Sequence, residues 1–134
     1  REPELLRAPR TVALVGDVTF LHDIGGLLIP ENSIRPENLT IVVANDDGGG
    51  IFETLEVGAT EYKPSFEQAF GTSHGVDLSE LCRGYGADYV KVETLDDLLT
   101  ALEQTTNDAG FTIIEARCSR QHRRVMHEAL KTGF

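Results

Sequence analysis

The sequence lacks several features that would assign it to a specialised class of protein. It contains no apolar run of 18 or more residues, so no membrane-spanning helix is predicted. Its first ten residues, REPELLRAPR, have no signal-peptide apolar core, which favours a soluble cytoplasmic protein. Its two cysteines, Cys82 and Cys118, are too few for a disulfide scaffold and lack metal-ligand spacing. We expect both to be reduced, buried thiols.

Positive charge is also scarce. The chain has 12 basic and 22 acidic side chains, which gives a formal net charge of -10. Such a balance argues against a general nucleic-acid or membrane surface. The basic residues are concentrated at one end, where residues 117–134 hold five of them against Glu128 alone. A solvated helix face packed near acidic neighbours explains this end, and an anion site is the alternative.

Alternating strand and helix patterns fill most of the 134 residues, which is the length of one domain. Runs rich in β-branched residues predict strands, and each is followed by a helical pattern or a loop. Such alternation predicts an α/β protein with a three-layer, doubly wound and mostly parallel sheet. The predicted strands are residues 11–15, 39–44, 89–93 and 111–116.

Local signals place the helices between and after these strands. Asp77 is predicted to cap the helix that follows it, and Thr94 to cap the next one. Apolar side chains at helical spacing predict buried stripes on two helices. The members of these expected stripes are Leu95, Leu98, Leu99 and Leu102 on one helix, and Val125, Met126, Ala129 and Leu130 on the last.

Two acidic turns follow the first two predicted strands. Residues 16–19 read GDVT and residues 45–50 read NDDGGG. Ligands of open parallel sheets lie beyond the carboxyl ends of the strands, so Asp17 and Asp46 should converge there. Two nearby carboxylates repel each other, and a divalent cation such as Mg²⁺ removes that conflict. Glycines in the second turn allow the backbone to approach a phosphate closely.

The pattern alone leaves other interpretations open. An aspartate at a helix start and glycines in a turn also have purely structural uses. A non-enzymatic Mg²⁺-binding α/β module, such as a phosphoacceptor receiver domain, is a further alternative. It is disfavoured because the last predicted strand, FTIIEARCS, is not accompanied by a matching lysine.

Three longer motifs resemble those of thiamin-diphosphate-dependent enzymes. They are GDVTFLHDIGGLL, IVVANDDGGGIFETLE and FGTSHGVD, in this order. In detail they are similar to the 2-succinyl-5-enolpyruvyl-6-hydroxy-3-cyclohexene-1-carboxylate synthase (MenD) family of menaquinone biosynthesis. The resemblance implies the thiamin-diphosphate-binding domain fold, without its first strand and helix. Residues 1–134 are then expected to be the C-terminal part of that domain.

The resemblance also implies roles for individual residues. Asp17, Asp46 and the carbonyl of Gly48 correspond to ligands of Mg²⁺, and Mn²⁺ can take the same oxygen ligands. Ile51 and Phe52 correspond to an apolar pair beside the substrate. Two departures stand out, because Val18 replaces a glycine and Asp46 replaces an asparagine of the general motif. The implied cofactor-binding residues are Gly16, Asp17, Val18, Thr19, Asn45, Asp46, Gly48 and Gly49.

The implied reaction decarboxylates 2-oxoglutarate and adds the resulting carbanion to isochorismate. In this family the glutamate that activates the cofactor comes from the N-terminal domain of a partner subunit, which implies a homo-oligomer. We therefore expect no catalytic residue within residues 1–134 and no activity of this chain alone. Another thiamin-diphosphate enzyme, of the acetolactate synthase or 2-oxoacid decarboxylase type, is the alternative.

His74 lies in a long irregular connection, residues 56–74. Such connections are often functional, which makes a substrate or loop-ordering contact one interpretation. Lone histidines also have many ordinary uses. We favour a surface or capping role for His74.

Overall fold

A four-stranded sheet forms the centre of the computed structural model, which describes residues 9–120 and 123–133, the side chains of Thr60 and Asn107 excepted. All strands are parallel, in the order β1-β2-β4-β3. Each lies within one residue of its predicted position at both ends, which confirms the predicted α/β sheet. The strands are β1 (Thr11–Gly16), β2 (Asn38–Asn45), β3 (Asp88–Val92) and β4 (Gly110–Arg117).

Within these described ranges, five helices and several tight turns connect and flank the strands. None of the helices there is long and apolar enough to cross a membrane. The helices are α1 (Asp17–His22), α2 (Lys63–Phe66), α3 (Leu78–Tyr85), α4 (Leu95–Asn107) and α5 (Arg123–Thr132). The turns are 3₁₀ at Ile24–Leu27, Gly50–Thr54, Glu56–Gly58 and Thr60–Tyr62, and π-helical at Glu67–Gly71.

The predicted caps are confirmed. The Asp77 carboxylate accepts hydrogen bonds from the amides of Ser79 and Glu80 at the start of α3. The Thr94 hydroxyl accepts one from the amide of Asp97 at the start of α4. Each cap satisfies backbone N–H groups that the first turn of a helix leaves unpaired.

Helices cover both faces of the sheet and produce three layers. On one face, residues of α1, the turn after it and α3 form a core with β2 and β4. On the other face, Ala101 of α4 packs against Val42, Val92 and Ile114. The first core contains Phe20, Leu27, Val43, Leu78, Cys82, Ala87, Phe111 and Ile113. This arrangement leaves the carboxyl ends of β1 and β2 free to carry functional groups.

Parts of the two predicted apolar stripes are not buried. On α4, Leu98 and Leu102 pack against the core, whereas Leu95 and Leu99 are exposed because they lie on the side turned away from the sheet. On α5 the expected burial is wrong, because this helix lies beside the turn Gly50–Thr54 rather than on the sheet. Its exposed side chains include Val125, Met126 and Leu130.

The cysteines behave differently from each other. Both are free. Cys82 is buried in the core as expected, but Cys118 is exposed, so the expectation of two buried thiols is wrong for Cys118. Cys118 follows β4 directly and lines an open groove of about 720 Å³ with residues of α5.

Candidate functional site

Two buried carboxylates lie at the carboxyl ends of β1 and β2. The strands are adjacent and parallel, with Gly16 paired to Ala44, so Asp17 and Asp46 follow them at the same edge of the sheet. Asp17 is 3% exposed and Asp46 is 7% exposed. Burial of charged groups is costly unless they are paired or bound, so both side chains require partners.

Asp17 obtains its partners from three parts of the chain. Its Oδ1 accepts a hydrogen bond from the amide of Val18 at 2.7 Å. Its Oδ2 accepts one from the amide of Gly48 at 2.9 Å and lies 3.1 Å from Nε2 of His74. The carboxylate therefore connects the start of α1 to the glycine turn and to the segment before α3.

The ring of His74 is oriented by its own backbone neighbour. The amide of Val76 donates to Nδ1 at 3.0 Å, so the neutral ring carries its proton on Nε2 and donates it to Asp17. The His74 side chain is only 15% exposed. The expected surface position is wrong, and the contact with Asp17 adds His74 to the candidate site. Its position in the FGTSHGVD motif is the sequence signal that could have identified this contact.

Asp46 has two carboxylate oxygens in different surroundings. The guanidinium of Arg123 donates to Oδ2, whereas Oδ1 is buried and has no hydrogen-bond partner within residues 9–120 and 123–133. Burial raises the pKa of Asp46, the Arg123 charge opposes this, and the nearby Asp17 raises it further. Four of the five basic residues of the chain end form ion pairs with acidic neighbours, as the charge pattern suggested: Arg117, Arg120, Arg123 and Lys131.

Hydrogen bonds to the side chain of Asp47 hold the NDDGGG turn in place. This residue has a φ of 62°, which is uncommon for a side-chain-bearing residue. The Ser73 hydroxyl donates to its Oδ2 at 2.6 Å, and the amide of Gly75 donates to its Oδ1 at 2.8 Å. These bonds lower the pKa of Asp47, with the Ser73 bond as the largest cause. Neither Asp47 nor Ser73 was predicted as a site residue, although both lie within the recognised motifs.

Gly48 and Gly49 are required by close backbone contact. Gly48 has a φ of 130°, and a Cβ there would lie 2.1 Å from the carbonyl oxygen of Gly71. The amide of Gly49 donates to that same oxygen at 2.8 Å. The NDDGGG turn is therefore packed against the end of the irregular connection.

The other implied site residues surround this centre. Gly16, Val18 and Thr19 are exposed at the start of α1. Asn45 is fully buried. Its side chain donates to Glu115 and accepts from the amide of Asp47, so it connects the NDDGGG turn to β4. Ile51 and Phe52 are 65% and 37% exposed in the next 3₁₀ turn.

The chemistry of these donors fits a hard divalent cation. The described residues contain no cluster of three or more His, Cys, Asp or Glu side chains arranged to hold a metal. The implied ligand set differs from such a cluster, because it consists of two carboxylates and a backbone carbonyl. Among the residues that the structure describes, none donates a hydrogen bond to the buried Oδ1 of Asp46. An oxygen-binding cation such as Mg²⁺ would satisfy it.

Comparison with known proteins identifies the class of domain. Residues 4–116 match the family "Thiamine pyrophosphate enzyme, C-terminal TPP binding domain", so the chain belongs to this family. Two solved structures share its fold. One is benzoylformate decarboxylase from Polynucleobacter necessarius, with a TM-score of 0.63 and 24% identity over 84% of this chain and 20% of that chain. The other is a 4-hydroxybenzoylformate decarboxylase from Rhodococcus jostii, with a TM-score of 0.60, 23% identity, and coverage of 82% and 20%.

Curated relatives narrow the resemblance to one enzyme. The chain is 58% identical over 132 residues to the 2-succinyl-5-enolpyruvyl-6-hydroxy-3-cyclohexene-1-carboxylate synthase of Corynebacterium glutamicum, covering 98% of this chain and 24% of the relative. It is 61% identical over 130 residues to the synthase of Corynebacterium diphtheriae, covering 97% and 25%. These matches confirm the predicted resemblance. The chain spans about a quarter of the length of these relatives.

Proposed function

We propose that this chain is the cofactor-binding part of a 2-succinyl-5-enolpyruvyl-6-hydroxy-3-cyclohexene-1-carboxylate synthase, and that it binds thiamin diphosphate through Mg²⁺. The observation that carries the proposal is that two buried carboxylates lie near each other, one bonded to the Gly48 amide and the other with an oxygen that no described residue bonds. The proposed substrates and reaction are those of relatives that are about four times as long as this chain.

In this proposal each part of the site has a defined task. Asp17, Asp46 and the carbonyl of Gly48 hold the metal, and the metal in turn binds the diphosphate, as is usual for Mg²⁺ sites. The exposed start of α1, including Thr19, faces the diphosphate. Ile51 and Phe52 offer an apolar surface that excludes water next to the substrate. The bound cofactor supplies the carbanion chemistry for the decarboxylation of 2-oxoglutarate and the addition to isochorismate.

In this proposal, binding of the cofactor and its activation are tasks of different domains. No residue of this chain is assigned as the acid or base that activates the cofactor, and the N-terminal domain of a partner subunit is proposed to supply it. A homo-oligomer follows from this requirement. Residues 1–134 alone should show no synthase activity.

The experiment that tests the proposal is a binding titration of the full-length protein. Asp17→Ala should abolish Mg²⁺-dependent binding of thiamin diphosphate, measured by isothermal titration calorimetry. Asp23→Ala is the matched control, because Asp23 is an exposed carboxylate on the same segment. Unchanged binding by Asp17→Ala overturns the proposed site. Turnover with 2-oxoglutarate plus isochorismate, compared with pyruvate, tests the proposed substrates.

A further inference from the structure

Arg123 forms an ion pair with one of the two carboxylate oxygens of Asp46. The guanidinium bonds to Oδ2, and Oδ1 is buried without a hydrogen-bond partner in the described part of the chain. The Asp46 side chain is 6% exposed and that of Arg123 is 34% exposed, so solvent screens the pair only in part. A cation at Oδ1 and the guanidinium at Oδ2 can therefore bind the Asp46 carboxylate at the same time.

The charges of the site explain why such a pair matters. The two carboxylates of Asp17 and Asp46 together cancel the charge of one divalent cation. A metal held between them offers no net positive charge to a diphosphate, which is itself strongly anionic. A permanently protonated guanidinium beside Asp46 restores one positive charge. Local charge of this kind acts strongly on an anion in a partly buried site.

The position of Arg123 is fixed by the packing of α5. This helix contacts the 3₁₀ turn Gly50–Thr54, which directly follows the glycine turn. The amide of Arg123 donates to the carbonyl of Arg120, whose guanidinium bonds to Ser73. Arg124 points elsewhere and donates to the carbonyl of Leu55. Of these neighbours in sequence, Arg123 is thus the one bonded to the carboxylate of Asp46.

We infer that Arg123 is a charge-compensating residue of the diphosphate site, which allows a site with two buried carboxylates to accept a metal-bound diphosphate. This inference rests on the proposed function, because it assigns Arg123 to the same cofactor site. It explains how an acidic chain can bind an anion without a lysine or arginine in the glycine turn. It also gives a specific task to the basic end of the sequence.

A double-mutant cycle in the full-length protein tests this inference. The variants are Arg123→Gln, Asp46→Asn and the combination, and the measurement is calorimetric titration with thiamin diphosphate at saturating Mg²⁺. Arg123→Gln should weaken binding about tenfold, which is the size of effect seen for coupled charged neighbours. In the Asp46→Asn background the same change should alter affinity less than about threefold, because no carboxylate then needs compensation.

Three further measurements separate compensation by Arg123 from a general effect of positive charge. Arg124→Gln is the matched control, because it removes the same charge from the next position of the same helix. It should leave affinity unchanged. Binding of Mn²⁺ alone, followed by electron paramagnetic resonance, should be unchanged or tighter in Arg123→Gln, because only the anion loses its positive partner. Arg123→Lys keeps the charge and should retain most of the affinity.

Each result of these titrations either supports or overturns the role of Arg123. Equal losses in Arg123→Gln and Arg124→Gln, or the same loss with and without Asp46→Asn, would overturn the inference. If Arg123→Gln fails to fold, the combined variant decides, because it leaves no unpaired buried charge. Near-normal affinity of the combined variant supports compensation, and strongly reduced affinity overturns it. Failure of the proposed function is distinct, because Asp17→Ala would then leave Mg²⁺-dependent binding of thiamin diphosphate unchanged.

Discussion

His74 donates a hydrogen bond from Nε2 to Oδ2 of Asp17 across 3.1 Å, although 57 residues separate them in the chain. The amide of Val76 fixes the ring tautomer that makes this donation possible. A partner of this kind orients a metal-binding carboxylate before any metal arrives. His74 is therefore a positioning residue for the proposed cation site.

Replacement of His74 is expected to weaken the site without removing a ligand. In the full-length protein, His74→Ala should reduce Mg²⁺-dependent affinity for thiamin diphosphate by roughly 10-fold to 100-fold, the usual cost of losing an outer partner of a metal ligand. Calorimetric titration measures this change. His22→Ala is the control, because His22 is exposed on α1. Equal affinities of the two variants would contradict the role of His74.

Gly48 should be intolerant of any side chain. A Cβ at this position would lie 2.1 Å from the carbonyl of Gly71, and the φ of 130° strains every other residue type. Gly48→Ala should therefore lower the free energy of unfolding by at least about 2 kcal/mol.

The control for Gly48→Ala is a glycine in α3. Gly84 has open space where a Cβ would lie, so Gly84→Ala should raise helix stability by about 0.5–1 kcal/mol. Urea denaturation of the full-length variants gives both values. A loss of stability at Gly84 as large as that at Gly48 would show that the contact with Gly71 is not the cause.

The bond between Ser73 and Asp47 should produce a pH-dependent contribution to stability. Because the pKa of Asp47 is lowered below its ordinary value of 3.8 in the folded protein, its stabilising effect is present above that value. It is lost as the pH falls through the lowered pKa. Ser73→Ala should thus cost about 1 kcal/mol above about pH 5, and this cost should disappear in stronger acid.

Thermal unfolding at several pH values tests the Ser73 prediction. Ser33→Ala is the matched control, because Ser33 is exposed in the loop before β2. It should show no pH-dependent difference from the unmodified protein. A cost of Ser73→Ala that stays constant down to the lowest pH would contradict the link to the Asp47 carboxylate.

The two cysteines should differ strongly in reactivity. Cys82 is fully buried, and this burial raises the pKa of its thiol to about 11. Burial also raises the pKa of Cys118, but that side chain is exposed. Iodoacetamide near pH 8, followed by peptide mass spectrometry, should label Cys118 in the native protein and Cys82 only after denaturation. Rapid labelling of Cys82 in the native state would contradict the packing of α3 on the sheet.

The sequence was informative wherever neighbouring residues determine the structure. The runs of β-branched residues placed all four strands, and the caps at Asp77 and Thr94 depend on amides two or three residues away. The convergence of Asp17 and Asp46 was predictable for a similar reason, because both follow adjacent parallel strands. Motif resemblance then supplied the family, which strand patterns alone could not.

Other features depend on contacts between distant parts of the chain. The pair formed by Arg123 and Asp46 joins residues 77 positions apart, and nothing in the local pattern selects Arg123 among its basic neighbours. The apolar stripe of α5 was visible as periodicity, but periodicity does not reveal which surface faces it. The role of His74 was underestimated because its partner Asp17 lies 57 residues earlier in the chain, in a different turn.

The position of Asn45 has a consequence for the order of folding. Its carbonyl accepts the amide of Cys118, and its side chain donates to Glu115, which is 70 residues away in the chain. The glycine turn therefore has its native shape only once β4 has joined β2 in the sheet. Closing so long a loop is slow compared with forming local helices. We therefore expect the site to form together with the completed sheet and not before it.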